Sequence, residues 1–448
     1  MITAPRSTGS ILKPFLYAAM LQSGEITPEM LIQDIPTVMS GYSPKNYNLK
    51  YDGVIPANEA LAKSLNVPLV RMLTKHGVAK FQFLLHKLKF TTINKSPDHY
   101  GLSLILGGAE ATLWDLVSAY GMMARTLNRY PDYNYNLNQK AHYTSTDTSK
   151  KTEYPIIDPA SCWFTFEAMN ELARPEEDAN WEMYSTSQKI AWKTGTSFGF
   201  RDAWAVGVTP KYVVGVWVGN ADGEGRPGLI GREVAAPVMF DVFSALPNSD
   251  WFSKPFDAME SVDICIQSGY RAGEFCEQIK KEWIPDPSLN TLACPYHKLV
   301  YLDETGQFSI NASCYDLNKA QKKSWFNLPA EAAYYYKNHN PDYSDIPPLM
   351  EGCTDEEKDY ELVILYPKNN SEIFVPVNFE EQQEKIVLEA THRRKGIKVY
   401  WHLDETYLGF TTDIHQISLT PSAGKHLLSV VDENGVTAAV TFEVKENQ

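Results

Sequence analysis

The spacing of apolar positions changes character along the chain. Residues 10–23 form an apolar, helix-like run, and residues 58–76 read as two short helices that break around Asn66 and Pro68. Apolar positions return at helical spacing over 110–126, and 161–173 again predicts a helix. Between them, residues 127–158 are rich in Asn, Tyr, Ser and Thr and read as a loop with room for a short hairpin. Three strands are then expected, at 188–194, 201–208 and 211–219, joined by short turns carrying Gly or Thr-Pro. An antiparallel meander flanked by helices is an α+β domain, and its expected extent is 1–245.

From 246 to 357 the periodicity weakens, and proline, cysteine and aromatic residues become frequent. This segment reads as a cysteine-containing connector with short strands at 297–303 and 307–310. The stretch EAAYYYKNHNPDYSDIPPL within it reads as extended and turn-rich. From 358 to 448 the pattern is all β. YELVILYP, EKIVLEATH, KVYWHLD, HQISLTP, HLLSVVDE and VTAAVTFEV alternate or run β-branched between polar turns, which predicts an immunoglobulin-like sandwich. No repeat of 20–50 residues is present.

Composition narrows the function classes. Of 448 residues, 44% are hydrophobic and 21% charged, ordinary for a globular protein. The formal net charge of −14 argues against a nucleic-acid partner, which requires basic surface to replace phosphate counterions. No basic amphipathic stretch points to a membrane surface, and no apolar run is long enough to span one. The first residues lack the basic-then-apolar form of a signal peptide. There are six cysteines. Cys162 stands apart, while Cys265, Cys276, Cys294, Cys314 and Cys353 fall in the connector. A zinc site normally includes a C-x2-4-C pair, and there is none, so disulfides are the expectation, with at least one thiol left over.

Three short motifs carry candidate chemistry. Ser10 and Lys13 lie three apart on the expected first helix, hence on one face. A serine hydroxyl needs a base to become a nucleophile, and a partly buried lysine has the lowered pKa that such a base requires. Gly9 permits a tight approach, and a place in the first helical turn would put Ser10 at the positive end of the helix dipole. Ser64 and Asn66 form a Ser-x-Asn element: a hydroxyl to relay protons and a carboxamide to hold an amide substrate. Lys193, Thr194, Gly195 and Thr196 end a strand. There an edge can pair with an extended peptide, Gly195 allows close approach, and the lysine and hydroxyls suit a carboxylate. Each motif alone is weak. Ser422 and Lys425 share the first spacing, and Ser288 with Asn290, or Ser309 with Asn311, share the second; capping and turns explain such pairs. All three types in the order S-x-x-K, S-x-N, K-T-G form the set found in β-lactamases and penicillin-binding proteins.

The resemblance extends beyond the motifs. RSTGSILKPFLYAAML, SLNVPLVRML, LSLILGGAEATLWDLVSAYGMMA and AWKTGTSFGFRDAWAVG resemble the transpeptidase domain of class A penicillin-binding proteins, most of all the 1C type. The Phe-Gly-Phe-Arg-Asp-Ala-Trp continuation and the C-terminal β domain favour that type. The resemblance implies Ser10 as acylated nucleophile, Lys13 as its base, Ser64 as proton relay and Asn66 as substrate anchor. It implies that Lys193, Thr194 and Thr196 bind the terminal carboxylate of a D-Ala-D-Ala stem peptide, and that the Ser10 and Thr196 N–H groups form the oxyanion hole. It implies β-lactams as inhibitors, no metal or other cofactor, and a place in the cell envelope, facing the periplasm.

In that family a glycosyltransferase domain, a membrane anchor and several transpeptidase elements precede the nucleophile. With Ser10 so near the start, the expectation is an N-terminally truncated transpeptidase domain, associated with the membrane only through the missing part. Two other readings stay open. One is a hydrolase with water as acceptor, such as a DD-carboxypeptidase or a β-lactamase. The other is a non-catalytic module that senses penicillin or wall peptide. The C-terminal sandwich (358–448) offers no catalytic set and is a candidate dock for an envelope protein. His392, His402, His415 and His426 there read as surface or core residues. Trp401 and Tyr407 read as core, or else as a binding patch.

Overall fold

The computed structural model describes residues 3–445 apart from 38, 40–41, 131–153, 171–187, 355–361, 376–384, 395, 405 and 434. The expected loop at 127–158 lies largely outside the described residues. The described chain divides into two compact units.

The first unit is built around a helix with no polar face. In α1 (Lys13–Gln22) every residue from Lys13 to Leu21 is buried, as an all-round apolar helix must be. Pro14 sits in its first turn, where a missing N–H leaves no helical bond unmade. The expected helical pair at 58–76 becomes α2 (Ala57–Ala62) and α3 (Asn66–His76), broken at Ser64, whose φ is +55°. Further along the chain, beyond two shorter helices at Val78–Lys87 and Pro97–Tyr100, lies α4 (Leu113–Arg129), capped by the Thr112 hydroxyl, which accepts from the Asp115 N–H at 3.0 Å. It is followed by α5 (Pro159–Asn170), which packs against α1.

The meander is present as β1 (Ala191–Thr196), β2 (Asp202–Val208) and β3 (Val213–Gly219), antiparallel in that order. The register pairs Lys193 with Val206 and Gly195 with Trp204. Central β2 is buried along its whole length because both faces of the sheet are covered. On one face α6 (Ala236–Ser244) lays Met239, Phe240 and Phe243 against Trp192 and Ala205. Gly207 makes this possible, since a Cβ there would stand 2.5 Å from the Phe243 ring. On the other face lie α4 and α5. Side chains alternate along a strand, so Lys193, one residue past Trp192, points away from α6.

The connector is more regular than expected. β4 (Met259–Cys265) pairs with β5 (Ile279–Pro285), and β6 (His297–Leu302) pairs with β7 (Gln321–Phe326). The expected strand at 307–310 is reduced to single bridges from Ser309, and Gln321–Phe326 takes its place beside β6. The stretch read as extended instead contains α7 (Ala330–Tyr336), which follows Pro329, and its alanines turn inward. Alanine's helix preference outweighs the three tyrosines here.

The second unit contains the sandwich. One sheet is β8 (Leu362–Tyr366), β10 (Ile386–His392) and β13 (Gln416–Leu419), ordered β8-β10-β13. The other is ordered β9-β15-β14-β11-β12, from β9 (Ser371–Phe374), β11 (Val399–Leu403), β12 (Thr406–Thr411), β14 (Gly424–Asp432) and β15 (Thr437–Lys445). All pairs are antiparallel except β9 with β15. Leu388, Val399, Trp401, Leu428 and Val430 are fully buried between the sheets. Trp401 is therefore core, with its Nε1 donating to the Thr411 hydroxyl at 2.8 Å, while Tyr407 is half exposed. His392 meets the Asp432 carboxylate at 3.2 Å and His415 and His426 are buried.

Candidate active site

The Ser10 turn is held by glycines. Gly9 has φ +51°, and a Cβ there would stand 2.6 to 2.8 Å from the Thr196 backbone. A Cβ on Gly195 would in turn stand 2.7 Å from the Thr8 carbonyl oxygen. No side chain fits at either position, so these two backbones lie directly against each other. The turn is fixed from other sides too. Arg6–Ser7 pairs with Glu110–Ala111, the Thr8 N–H donates to Ala109 O at 3.0 Å, and Trp204 Nε1 donates to Ser7 O at 2.8 Å. Tyr120 donates its hydroxyl to Ile11 O at 2.8 Å. Ser10 itself precedes α1 rather than occupying its first turn, which corrects the expected placement. The Lys13 N–H donates to Ser10 O at 3.2 Å, a tight turn leading into the helix.

Two lysines form the floor. Lys13 is fully buried, and its Nζ donates to Ser64 O at 2.8 Å, Leu65 O at 3.1 Å and Asn66 Oδ1 at 2.8 Å. Burial, and then the charge of Lys193, hold its pKa well below the ordinary lysine value. Lys193 is also buried, and its Nζ donates to the Ser64 hydroxyl at 2.8 Å and to Thr194 O at 2.9 Å. Burial lowers its pKa to about 7. Ser64 thus serves both lysines, one through its carbonyl and one through its hydroxyl. Its positive φ turns the carbonyl toward Lys13, a strain of roughly 1 kcal/mol or more that the two lysine contacts offset.

Above this floor Ser10, Ser64, Asn66, Thr194 and Thr196 are all partly exposed. The Thr196 hydroxyl accepts from the Gly231 N–H at 3.0 Å, which leaves its proton to donate. The structure therefore gathers Lys13 with Ser64 and Asn66, Lys193 with Ser64, and the Ser10 turn with Thr196. Sequence reasoning assigned Lys193 to a substrate carboxylate and missed its bond to Ser64; nothing in the local sequence signals a partner 129 residues away. It also missed Ser197. This buried hydroxyl accepts from the Asp202 N–H at 2.8 Å and closes the turn after Thr196. The other copies of the motifs lie elsewhere. Ser288 is buried and donates to Ile26 O, Asn311 shapes a turn with Ser313, and Ser422 and Lys425 are exposed before and in β14.

A serine-bearing turn, a Ser-x-Asn corner and a Lys-Thr-Gly strand around two buried lysines are together the motif set of the penicillin-binding class of proteins. Residues 1–240 match the penicillin binding protein transpeptidase domain, and residues 351–442 match the Penicillin-Binding Protein C-terminus Family. The chain belongs to the penicillin-binding protein transpeptidase family. It is 32% identical to penicillin-binding protein 1C of Escherichia coli K12 over 351 residues, 74% of this chain and 43% of that protein. It is 28% identical to penicillin-binding protein 1A of Neisseria lactamica, over 64% of this chain and 36% of that protein. The crystal structure of penicillin-binding protein 1A from Haemophilus influenzae shares the fold, with a TM-score of 0.50 and 20% identity over 65% of this chain and 49% of that one. The chain spans less than half the length of these curated relatives.

Proposed function

We propose that this chain carries a peptidoglycan DD-transpeptidase site that works through an acyl-enzyme on Ser10. The observation that carries the reading is the convergence of Lys13 and Lys193, both buried and both with lowered pKa, on the Ser64–Asn66 corner. Burial that disfavours the ammonium makes a lysine a better base for a serine hydroxyl.

In this reading the neutral amine of Lys13 takes the Ser10 proton as Oγ attacks the carbonyl carbon of the penultimate D-Ala. The carbonyl oxygen becomes an oxyanion held by the Ser10 and Thr196 N–H groups. The C–N bond to the terminal D-Ala then breaks. Its nitrogen receives a proton through the Ser64 hydroxyl, which Lys193 recharges, and D-Ala leaves as the free amino acid. An amine on a neighbouring stem peptide attacks the ester, and the same groups return the proton to Ser10. Asn66 anchors the donor's amide, and Thr194 and Thr196 bind its terminal carboxylate. A β-lactam acylates Ser10 by ring opening, so no leaving group departs to make room for the acceptor. The setting is the outer face of the inner membrane, in the cell envelope.

Incubation with a D-Ala-D-Ala stem peptide and an amine acceptor tests this. Release of D-Ala in step with an amide-linked product supports the transpeptidase. Release of D-Ala with water as the only acceptor would make it a carboxypeptidase, and acylation without turnover would make it a sensor.

A further inference from the structure

Beside β6 lies an open groove of about 1060 Å³, walled by β6 itself, by residues 309–313 and by residues 343–349. All of these residues belong to the second unit. We propose that this groove binds an extended, carboxylate-rich peptide, which adds as a strand to the open edge of β6.

The open edge follows from the direction of the backbone groups. In an antiparallel pair the N–H and C=O of one residue point to the same side, and successive residues alternate. The Asn327 N–H donates to Tyr296 O at 2.8 Å, so even-numbered positions of β6 face β7 and odd-numbered ones face away. Part of this outer edge is covered: the Asp303 N–H donates to Phe308 O at 3.0 Å, and Tyr301 O accepts from the Ile310 N–H at 2.9 Å. The cover stops there, because the chain leaves β6 after Ile310 and turns, with the Cys314 N–H donating to Asn311 O at 3.3 Å. The N–H and C=O of Leu299 are left facing the groove with no backbone partner among the described residues, and the Leu299 side chain is 37% exposed. The opposite wall does not close this edge. Pro347 and Pro348 have no N–H, and the Pro348 carbonyl already accepts from the Ser309 N–H at 2.9 Å. An edge of this kind pairs with an added strand.

The charge of the groove sets the chemistry of its partner. Among the described residues the lining carries Lys298, Lys337, Arg393 and Arg394 against one carboxylate, Asp345, in a chain whose formal net charge is −14. Lys337 Nζ meets Asp345 Oδ2 at 2.5 Å, so the positive charge of Lys298, Arg393 and Arg394 stays in excess over the carboxylates of the lining. Two buried polar atoms there have no partner, Arg393 Nε and Asp345 Oδ1. Arg393 is held by its other nitrogens, which donate to the Asn327 side chain and to Leu328 O at 2.7 Å. Buried polar groups are rarely left unmet, and a peptide supplies both kinds of counterpart: an oxygen for Arg393 and an N–H for Asp345. The Tyr343 hydroxyl accepts from the Leu328 N–H at 3.1 Å, and burial pushes its pKa up to about 12, so it keeps a proton to donate. A polyanion without a peptide backbone would use the cations alone; the edge at Leu299 is what favours a peptide. One wall is also braced covalently. Cys314, next to Ser313, is bonded to Cys353, a disulfide of the kind expected in this segment. Cys265, Cys276 and Cys294 carry thiols, so the connector has fewer bridges than expected.

The test is fluorescence anisotropy of a labelled peptide of alternating glutamate and valine, titrated with the full chain, beside a lysine–valine peptide of equal length. Saturable binding of the acidic peptide alone is expected. Lys298→Glu reverses a charge in the groove and is expected to weaken binding at least about tenfold. Leu299→Pro removes only the outward N–H, a change an edge strand accommodates, and is expected to weaken binding about tenfold. Circular dichroism is the folding control for both variants. In the wild type, amide exchange at Leu299 is expected to slow when the peptide binds. Three results would overturn the proposal: no saturable binding of the acidic peptide; equal binding of the lysine–valine peptide; or binding that leaves both amide exchange at Leu299 and the affinity of folded Leu299→Pro unchanged, which is the behaviour of a polyanion site without strand pairing.

Discussion

Ser10-Ile-Leu-Lys13 and Ser422-Ala-Gly-Lys425 have the same spacing and the same two functional groups. In the first unit Lys13 is sealed at the start of a buried helix, with three oxygen acceptors and a lowered pKa. In the sandwich, Ser422 and Lys425 are exposed, and Gly424 has φ +126°, which opens a strand rather than continuing a helix. Chemical identity is thus equal in the two places, and desolvation is what separates them. Water keeps an exposed lysine charged, whereas burial penalises the ammonium and frees a base.

Substitutions can break that comparison. The largest effect is expected for Ser10→Ala, with penicillin acylation falling by at least about a thousandfold, whereas Ser422→Ala leaves the rate unchanged; stopped-flow or gel-based labelling reads both. Gly9→Ala comes next. Its Cβ would overlap the Thr196 backbone, so the turn must move away from β1. We expect acylation to fall about a hundredfold and stability by about 1–3 kcal/mol, read by labelling and by denaturant unfolding.

Lys193→Met sharpens the comparison through pH. The folded pKa of Lys193 is about 7, below its value in the unfolded chain, so the unfolded state binds more protons in the window between the two. The stability penalty from Lys193 is therefore complete below about pH 7 and is relieved as pH rises toward the unfolded lysine value near 10.4. Compared with the wild type, Lys193→Met should gain stability at pH 6 and lose that advantage by pH 10, by up to about 4 kcal/mol for three pKa units. Unfolding of both proteins across pH measures it. The smallest effect belongs to Lys425→Ala, where stability should change by less than about 0.5 kcal/mol and acylation not at all.

These contrasts also show what could be read from the chain alone. The motifs at Ser10–Lys13, Ser64–Asn66 and 193–196, which the structure brings together, stand out in the sequence because each keeps a fixed short spacing, and the meander because β-branched runs alternate with turn residues. The bond from Lys193 to Ser64 was not, since it depends on packing across the sheet. The hairpin of β4 and β5 was hidden because charged residues such as Lys280, Lys281 and Glu282 interrupt the alternation on a solvated strand.

The most direct test of the central claim is peptide mapping after reaction with benzylpenicillin, across a series of pH values. A single adduct on Ser10 is expected, forming faster as pH rises through the lowered pKa of Lys13, the base. An adduct on another residue, or folded protein that forms none at any pH, would contradict it.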